Sequence, residues 1–159
     1  MQRFKALAQP LAPDWPGLIR TIRRQGTPAR VHHIELFQDG EISDAIAQRY
    51  GLLAGLDPQD PQFAERRYIA VQRFCGFDYV RGGMADLNWP LFRTQTVHTA
   101  ALAKANGRWY QDEHNGPIQN WEQFERYPWP DPHAASATRV LEWYQQHLPD
   151  DMCVIASGG

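Results

Sequence analysis

Two short runs place ionisable side chains where an enzyme would use them: Arg30 to Phe37 (RVHHIELF) and Phe77 to Arg81 (FDYVR). Each is rich in β-formers and each stops at a glycine-bearing turn, Gln38-Asp39-Gly40 after the first and Gly82-Gly83 after the second. On the first strand Ile34 and Leu36 share one face, expected to contact helices, while His33, Glu35 and Phe37 share the other. Ionisable groups on the inward face of a parallel strand are costly unless that face opens on a polar cavity. Glu35 is therefore a catalytic candidate and His33 a substrate-binding one. The competing reading of Glu35 is a structural carboxylate bonded to a backbone amide or an arginine. His32, on the other face, reads as structural. Arg81 ends the second strand on the face of Tyr79, where its guanidinium could grip a substrate carboxylate at two points or pair with Glu35 from the neighbouring strand. Asp86 and Asn88 follow in the next loop, placed either to reach the same mouth or to cap the loop. Ser157-Gly158-Gly159 offers backbone amides to an anion, which adds Ser157 to the substrate-binding candidates.

Other chemistry-bearing residues form no recognisable constellation. Asp112-Glu113-His114 lacks ligand-like spacing to further His or Cys and is expected to be a solvated edge, so no metal site is predicted. There is no P-loop, GxSxG or GxGxxG. Cys75 and Cys153 stand outside any CxxC or Cys/His spacing and are expected to be buried free thiols in a reducing compartment.

The elements that must position these residues follow from periodicity. Residues 15 to 25 set Leu18, Ile19 and Ile22 against Arg20, Arg23 and Arg24, an amphipathic helix closed by Gly26 and Pro28. A second helix is expected over about 41 to 50, with Ile42, Ala45, Ile46 and Tyr50 as its stripe and Glu41 and Asp44 at its positive end. A third covers about 61 to 75, with Pro61 in the first turn. Ala105-Asn106-Gly107, between 99–103 and 108–112, predicts a hairpin excursion. Asn120 caps a short helix over 121–127, a last helix runs over about 133–147 with Val140, Leu141, Tyr144 and Leu148 as its apolar side, and Met152 onward is a buried strand. Trp109, Trp121 and Trp129 are expected to pack loops. Strands alternating with helices predict α/β architecture with parallel pairing and a site at the carboxyl ends of the strands.

Composition narrows the class. With 159 residues, 43% hydrophobic and 21% charged, the chain can bury one core. A net charge of -2 gives no basic field for nucleic acid or an anionic membrane surface. No window approaches the roughly 18 apolar residues of a membrane span. Residues 1–15 lack the apolar stretch and small-residue cleavage site of a secretory leader, so a cytoplasmic location is expected.

The runs RVHHIELFQDGEI, GFDYVRGG, GPIQNWEQFERYPWPDP and MCVIASGG together resemble the opening portion of the uroporphyrinogen decarboxylase superfamily, from about Arg30 onward. The resemblance implies a (β/α)8 TIM barrel, of which residues 1–159 would be the N-terminal part of a single domain: about the first three βα units, a β-hairpin excursion and a helical lead-in over 1–29. The chain is accordingly expected to be truncated, the alternative being a complete small domain with a C-terminal edge strand. The resemblance further implies decarboxylation of a porphyrinogen without a cofactor, or, in the superfamily's other branch, corrinoid-dependent methyl transfer with zinc, whose ligands would lie outside this chain. The family's arginine-rich loop corresponds to residues 37–41, which contain no arginine. Arg81 is then the cation left to bind a side-chain carboxylate, and Asp86 would stabilise a protonated pyrrole. The substrate implied by the resemblance is a tetrapyrrole or a methylated compound, and no nucleic-acid or membrane partner is expected. Open strand edges are expected to favour self-association. A non-catalytic binding domain or an inactive fragment is the reading from another class.

Overall fold

The structure is a computed structural model that describes residues 11–35, 38–83, 93–96, 108–111, 114, 116–131, 133 and 138–157, with the backbone alone at 93–96, 108–111 and 157. Helices α1 (Trp15–Ile22), α2 (Gly40–Arg49) and α3 (Phe63–Phe74) precede strand β1 (Tyr79–Gly83). Strands β2 (Arg93–Thr96) and β3 (Arg108–Gln111), then helices α4 (Trp121–Arg126) and α5 (Arg139–His147), lead to β4 (Cys153–Ser157). Among the described residues no helix is long and apolar enough to cross a membrane.

Local chemistry sets the helix starts. Asp14 caps α1 by accepting from the Gly17 N–H at 2.9 Å. A Cβ at Gly17 would lie 2.0 Å from Asp14 Oδ2, so a side chain there would displace the capping carboxylate. The helix ends at Ile22, earlier than its expected limit, because Arg24 takes φ 55° and turns the chain into the left-handed region. Asn120 caps α4 as expected from its type, accepting from the Gln123 N–H at 2.9 Å. Pro61 lies in the turn before α3, two residues outside the helix it was expected to open.

Two small sheets form. β1 pairs with β4 in parallel, Tyr79 opposite Cys153 through Gly83 opposite Ser157. β2 pairs antiparallel with β3, Thr96 opposite Arg108. The antiparallel pair corrects the expected hairpin: the partner of 108–111 is 93–96, not 99–103, and Asn106-Gly107 lies outside the described residues. The strand expected over 30–37 is not formed in its described part, where residues 31–35 make no ladder. Instead the Tyr79 hydroxyl accepts from the Glu35 N–H at 3.2 Å and donates to the Glu35 carbonyl at 3.3 Å. A phenol that takes both main-chain groups holds this segment away from the β1 backbone and substitutes for strand pairing.

The core lies between α5, α3 and the helix side of the parallel pair. Val80, Tyr144 and Met152 are buried together, with Tyr68, Ile69, Val140, Trp143, Leu148 and Val154 packed around them. Burying a side chain such as Val80 contributes about 1.5–3 kcal/mol. Gly82 lets α5 approach: a Cβ there would stand 2.6 Å from Leu141 Cδ2. Val80 and Gly82 therefore face the helix layer, which leaves Tyr79, Arg81 and Gly83, with their register partners Cys153, Ile155 and Ser157, on the other face.

Candidate functional site

The face opposite α5 carries Arg81, the central residue of β1 and two positions before its carboxyl end. Its side chain is exposed, while its backbone N–H donates to the Tyr68 hydroxyl at 3.4 Å. No ion pair joins Arg81 to Glu35, or to any carboxylate among the described residues. The alternative sequence reading of these two residues, a cross-strand salt bridge, is therefore not what the structure holds. The Tyr68 hydroxyl is pushed above its ordinary pKa, chiefly by burial and against the lowering effect of its bond to Arg81. It stays a neutral phenol fixing the β1 backbone beside the guanidinium.

The remaining candidates scatter around this point. Glu35 is exposed and meets β1 through its main chain, at the hydroxyl of Tyr79, so its carboxylate is free to reach solvent on that side. His33 is exposed too, its ring edge-on to Phe77 with centroids 6.1 Å apart. The strand parity expected for this run does not hold: Ile34, assigned to the helix-contacting face, is 64% exposed. Ser157 closes the ladder opposite Gly83. The structure thus brings Arg81, Gly83 and Ser157 to one end of one sheet, with Glu35 tied to the same strand through Tyr79. Asp86, Asn88, Phe37, Asp112 and Glu113 lie outside the described residues.

Sequence reasoning missed the most constrained ionisable group. Asp78, immediately before β1, is fully buried. Its Oδ1 accepts from the Asp14 N–H at 2.6 Å and from the Arg30 guanidinium, and its Oδ2 lies 2.7 Å from His32 Nδ1, a pairing in which the ring N–H donates. The Asp78 carbonyl also accepts from the Cys153 N–H at 3.0 Å. One residue therefore fastens the loop before α1, the 30–32 segment and the start of β4 to β1. The available signal was the alternation of Arg30 and His32, which puts two donors on one side of an extended run. The structural reading of His32 agrees with this bond. The cluster sits at the amino end of the parallel pair, away from Arg81, where parallel α/β sheets keep residues for stability rather than chemistry.

Among the described residues no group of three or more His, Cys, Asp or Glu could hold a metal ion. Burial, together with the Asp78 carboxylate, pushes the Cys153 thiol above its ordinary pKa, and burial does the same to Cys75 despite a bond to Gln38. Both favour the protonated thiol, the opposite of what ligation or nucleophilic attack needs.

Compared with known protein families, with curated proteins and with solved structures, the chain matches none.

Proposed function

We propose that the chain supplies part of a uroporphyrinogen decarboxylase-like (β/α)8 barrel and that the mouth at the carboxyl ends of β1 and β4 binds a carboxylate-bearing tetrapyrrole for decarboxylation. The observation that carries this reading is Arg81: an exposed guanidinium on the open face of a parallel strand, unengaged by any described carboxylate, with its backbone held by Tyr68. A planar cation in that place suits two-point recognition of a carboxylate. In this mechanism Arg81 anchors one side-chain carboxylate of the porphyrinogen and Asp86 stabilises the pyrrole after a proton from solvent adds to its ring carbon; that protonated ring takes up the electron pair of the breaking C–C bond as another side chain loses CO2, and a second proton then completes the methyl group while the ring carbon gives up the first. Glu35 meets the same strand through Tyr79 at its amino end, and His33 packs on Phe77 before it, so both lie away from this mouth. A cytoplasmic location belongs to the same reading.

The test is a titration of the protein with uroporphyrin, followed at the Soret band. Binding should weaken about tenfold or more in Arg81→Ala, the loss of one charge-assisted contact at about 1.4 kcal/mol per decade. Equal affinity in the variant removes Arg81 from the site, and no spectral change in either protein removes the tetrapyrrole.

A further inference from the structure

The end of α5 carries a titratable side chain that neither the core nor the mouth uses. His147 lies flat on the indole of Trp143, ring centroids 4.4 Å apart and planes 8° from parallel. The two residues are four apart on one helix face, which brings the rings together. His147 Nδ1 stands 2.8 Å from the Trp143 carbonyl oxygen, which can only accept, so Nδ1 carries a proton in the neutral and the charged ring alike. Gaining charge therefore adds a proton at Nε2 and leaves the stack in place. Trp143 is also where α5 meets α3. It packs at the edge of the core around Val80, Tyr144 and Met152, and the Arg66 guanidinium stands over its ring, 5.4 Å from the centroid.

The charged groups packed against this stack come from the segment before α3 and from α3 itself. Asp60 Oδ2 accepts from Arg66 Nε at 2.7 Å, and its Oδ1 accepts from the Gln62 N–H at 2.9 Å. These bonds hold the Asp60 carboxyl below the usual carboxylate range, the Gln62 N–H first and Arg66 next, and a charged His147 acts in the same direction by the smallest amount. On the α5 side, Asp150 is exposed three residues past His147. Three interactions favour an imidazolium here: the carbonyls at the negative end of the α5 dipole, the indole face, and Asp60. Arg66 opposes it, with a charge that Asp60 largely offsets. We infer that the Trp143–His147 stack is a pH-sensitive clamp, in which protonation of His147 fastens the end of α5 onto Trp143 and, through Arg66, onto α3. Histidine charge changes between about pH 5 and 8. The clamp is closed at the acidic end of that range and is lost as the pH rises, when the last turn of α5 frays before the rest of the helix. Because α5 covers β1 and β4, the clamp sets how firmly the helix layer sits on the sheet. The inference uses neither Arg81 nor its ligand.

Urea unfolding and tryptophan emission of the whole chain at about pH 5 and about pH 8 test the clamp. His147→Gln keeps a polar side chain but cannot take the charge. Its unfolding equilibrium constant, divided by that of the unaltered chain, should be about fivefold larger or more at the acidic pH than at the alkaline one. Other titrating groups are common to both proteins and cancel in that ratio. An imidazolium stacked on an indole quenches its emission, so folded-state fluorescence should fall further on acidification in the unaltered chain than in His147→Gln or Trp143→Phe. His133→Gln, at an exposed histidine outside α5, is the control and should follow the unaltered chain in both measurements. A ratio that is the same at the two pH values, or larger at the alkaline one, would overturn the proposal. So would a fluorescence change that His147→Gln leaves intact. Should Trp143→Phe fail to fold, His147→Gln, at an exposed side chain, decides the matter alone.

Discussion

Replacing Asp78 with alanine should be the most damaging single change among the described residues. The substitution takes the acceptor from three donors at once: the Arg30 guanidinium, His32 Nδ1 and the Asp14 N–H. The side chains of Asp78 and His32 are 0% and 4% exposed, so water cannot replace the lost bonds without opening the segment. Removing one partner of a buried charge pair costs about 3–5 kcal/mol. That is a large share of the roughly 5–15 kcal/mol that holds an ordinary domain together. With a urea slope of about 2 kcal/mol/M, the unfolding midpoint should fall by about 1.5–2.5 M. Arg30 is 21% exposed and its Nη1 has no hydrogen-bond partner, so Arg30→Ala should cost less, about 1.5–3 kcal/mol. Arg126→Ala, which breaks an exposed pair with Glu122 at 2.9 Å, is the control and should stay within about 0.5 kcal/mol. The measurement is urea unfolding followed by circular dichroism. An Asp78→Ala midpoint indistinguishable from that of Arg126→Ala, or an Arg30→Ala midpoint below that of Asp78→Ala, would refute the reasoning.

Two smaller effects follow from local geometry and titration. Gly17→Ala should cost about 1 kcal/mol in thermal or urea unfolding, because its Cβ would occupy the place of Asp14 Oδ2 and break the α1 cap. Asp14→Ala should cost a similar amount, and the double variant little more than either, since both remove one bond. At high pH, Tyr144 keeps its proton in the folded state up to about 12, against 10.0 for a free tyrosine, because of burial first and then Glu65 and Tyr68. The unfolded chain releases protons that the folded chain retains, so stability should fall as pH rises from 10 toward 12. Cys153 acts in the same direction from its ordinary 9.0 upward. Urea midpoints across this range should slope less steeply in Tyr144→Phe, and an unchanged slope would show that Tyr144 is not the group responsible.

The legible parts of this protein were those whose cause lies within a few residues. Asn120 before Trp121 is a cap by its own side chain, and α4 begins there. Of the stripe expected on the first helix, Leu18 is buried and Ile19 half-buried, while Ile22, at the helix end, is 58% exposed. Tyr144 and Leu148, read as part of the apolar side of the last helix, meet Val80 in one core. The aromatic loops were legible in type but not in burial: Trp121 stacks on Phe124 at 4.9 Å yet is 70% exposed. The candidate site was half legible. Arg81 stands exposed on the face of Tyr79 that parity assigned to it, whereas Glu35 and His33 belong to a segment that does not pair as a strand. Alternation in RVHHIELF assumes a ladder partner, and the Tyr79 phenol takes the hydrogen-bonding groups of Glu35 instead.

What the sequence determined by itself was therefore local: caps, stripes, and the presence of a strand around Arg81, although that strand starts two residues later than expected and runs through Gly82 and Gly83 instead of stopping before them. What only the tertiary structure decided was partnership. Asp78 meets Arg30 and His32 from 48 and 46 residues away, and β1 pairs in parallel with β4 from the far end of the chain. Hydrogen-bond capacity is written in each residue, but the choice of partner depends on which distant groups burial brings within about 3 Å, and no spacing along the chain encodes that.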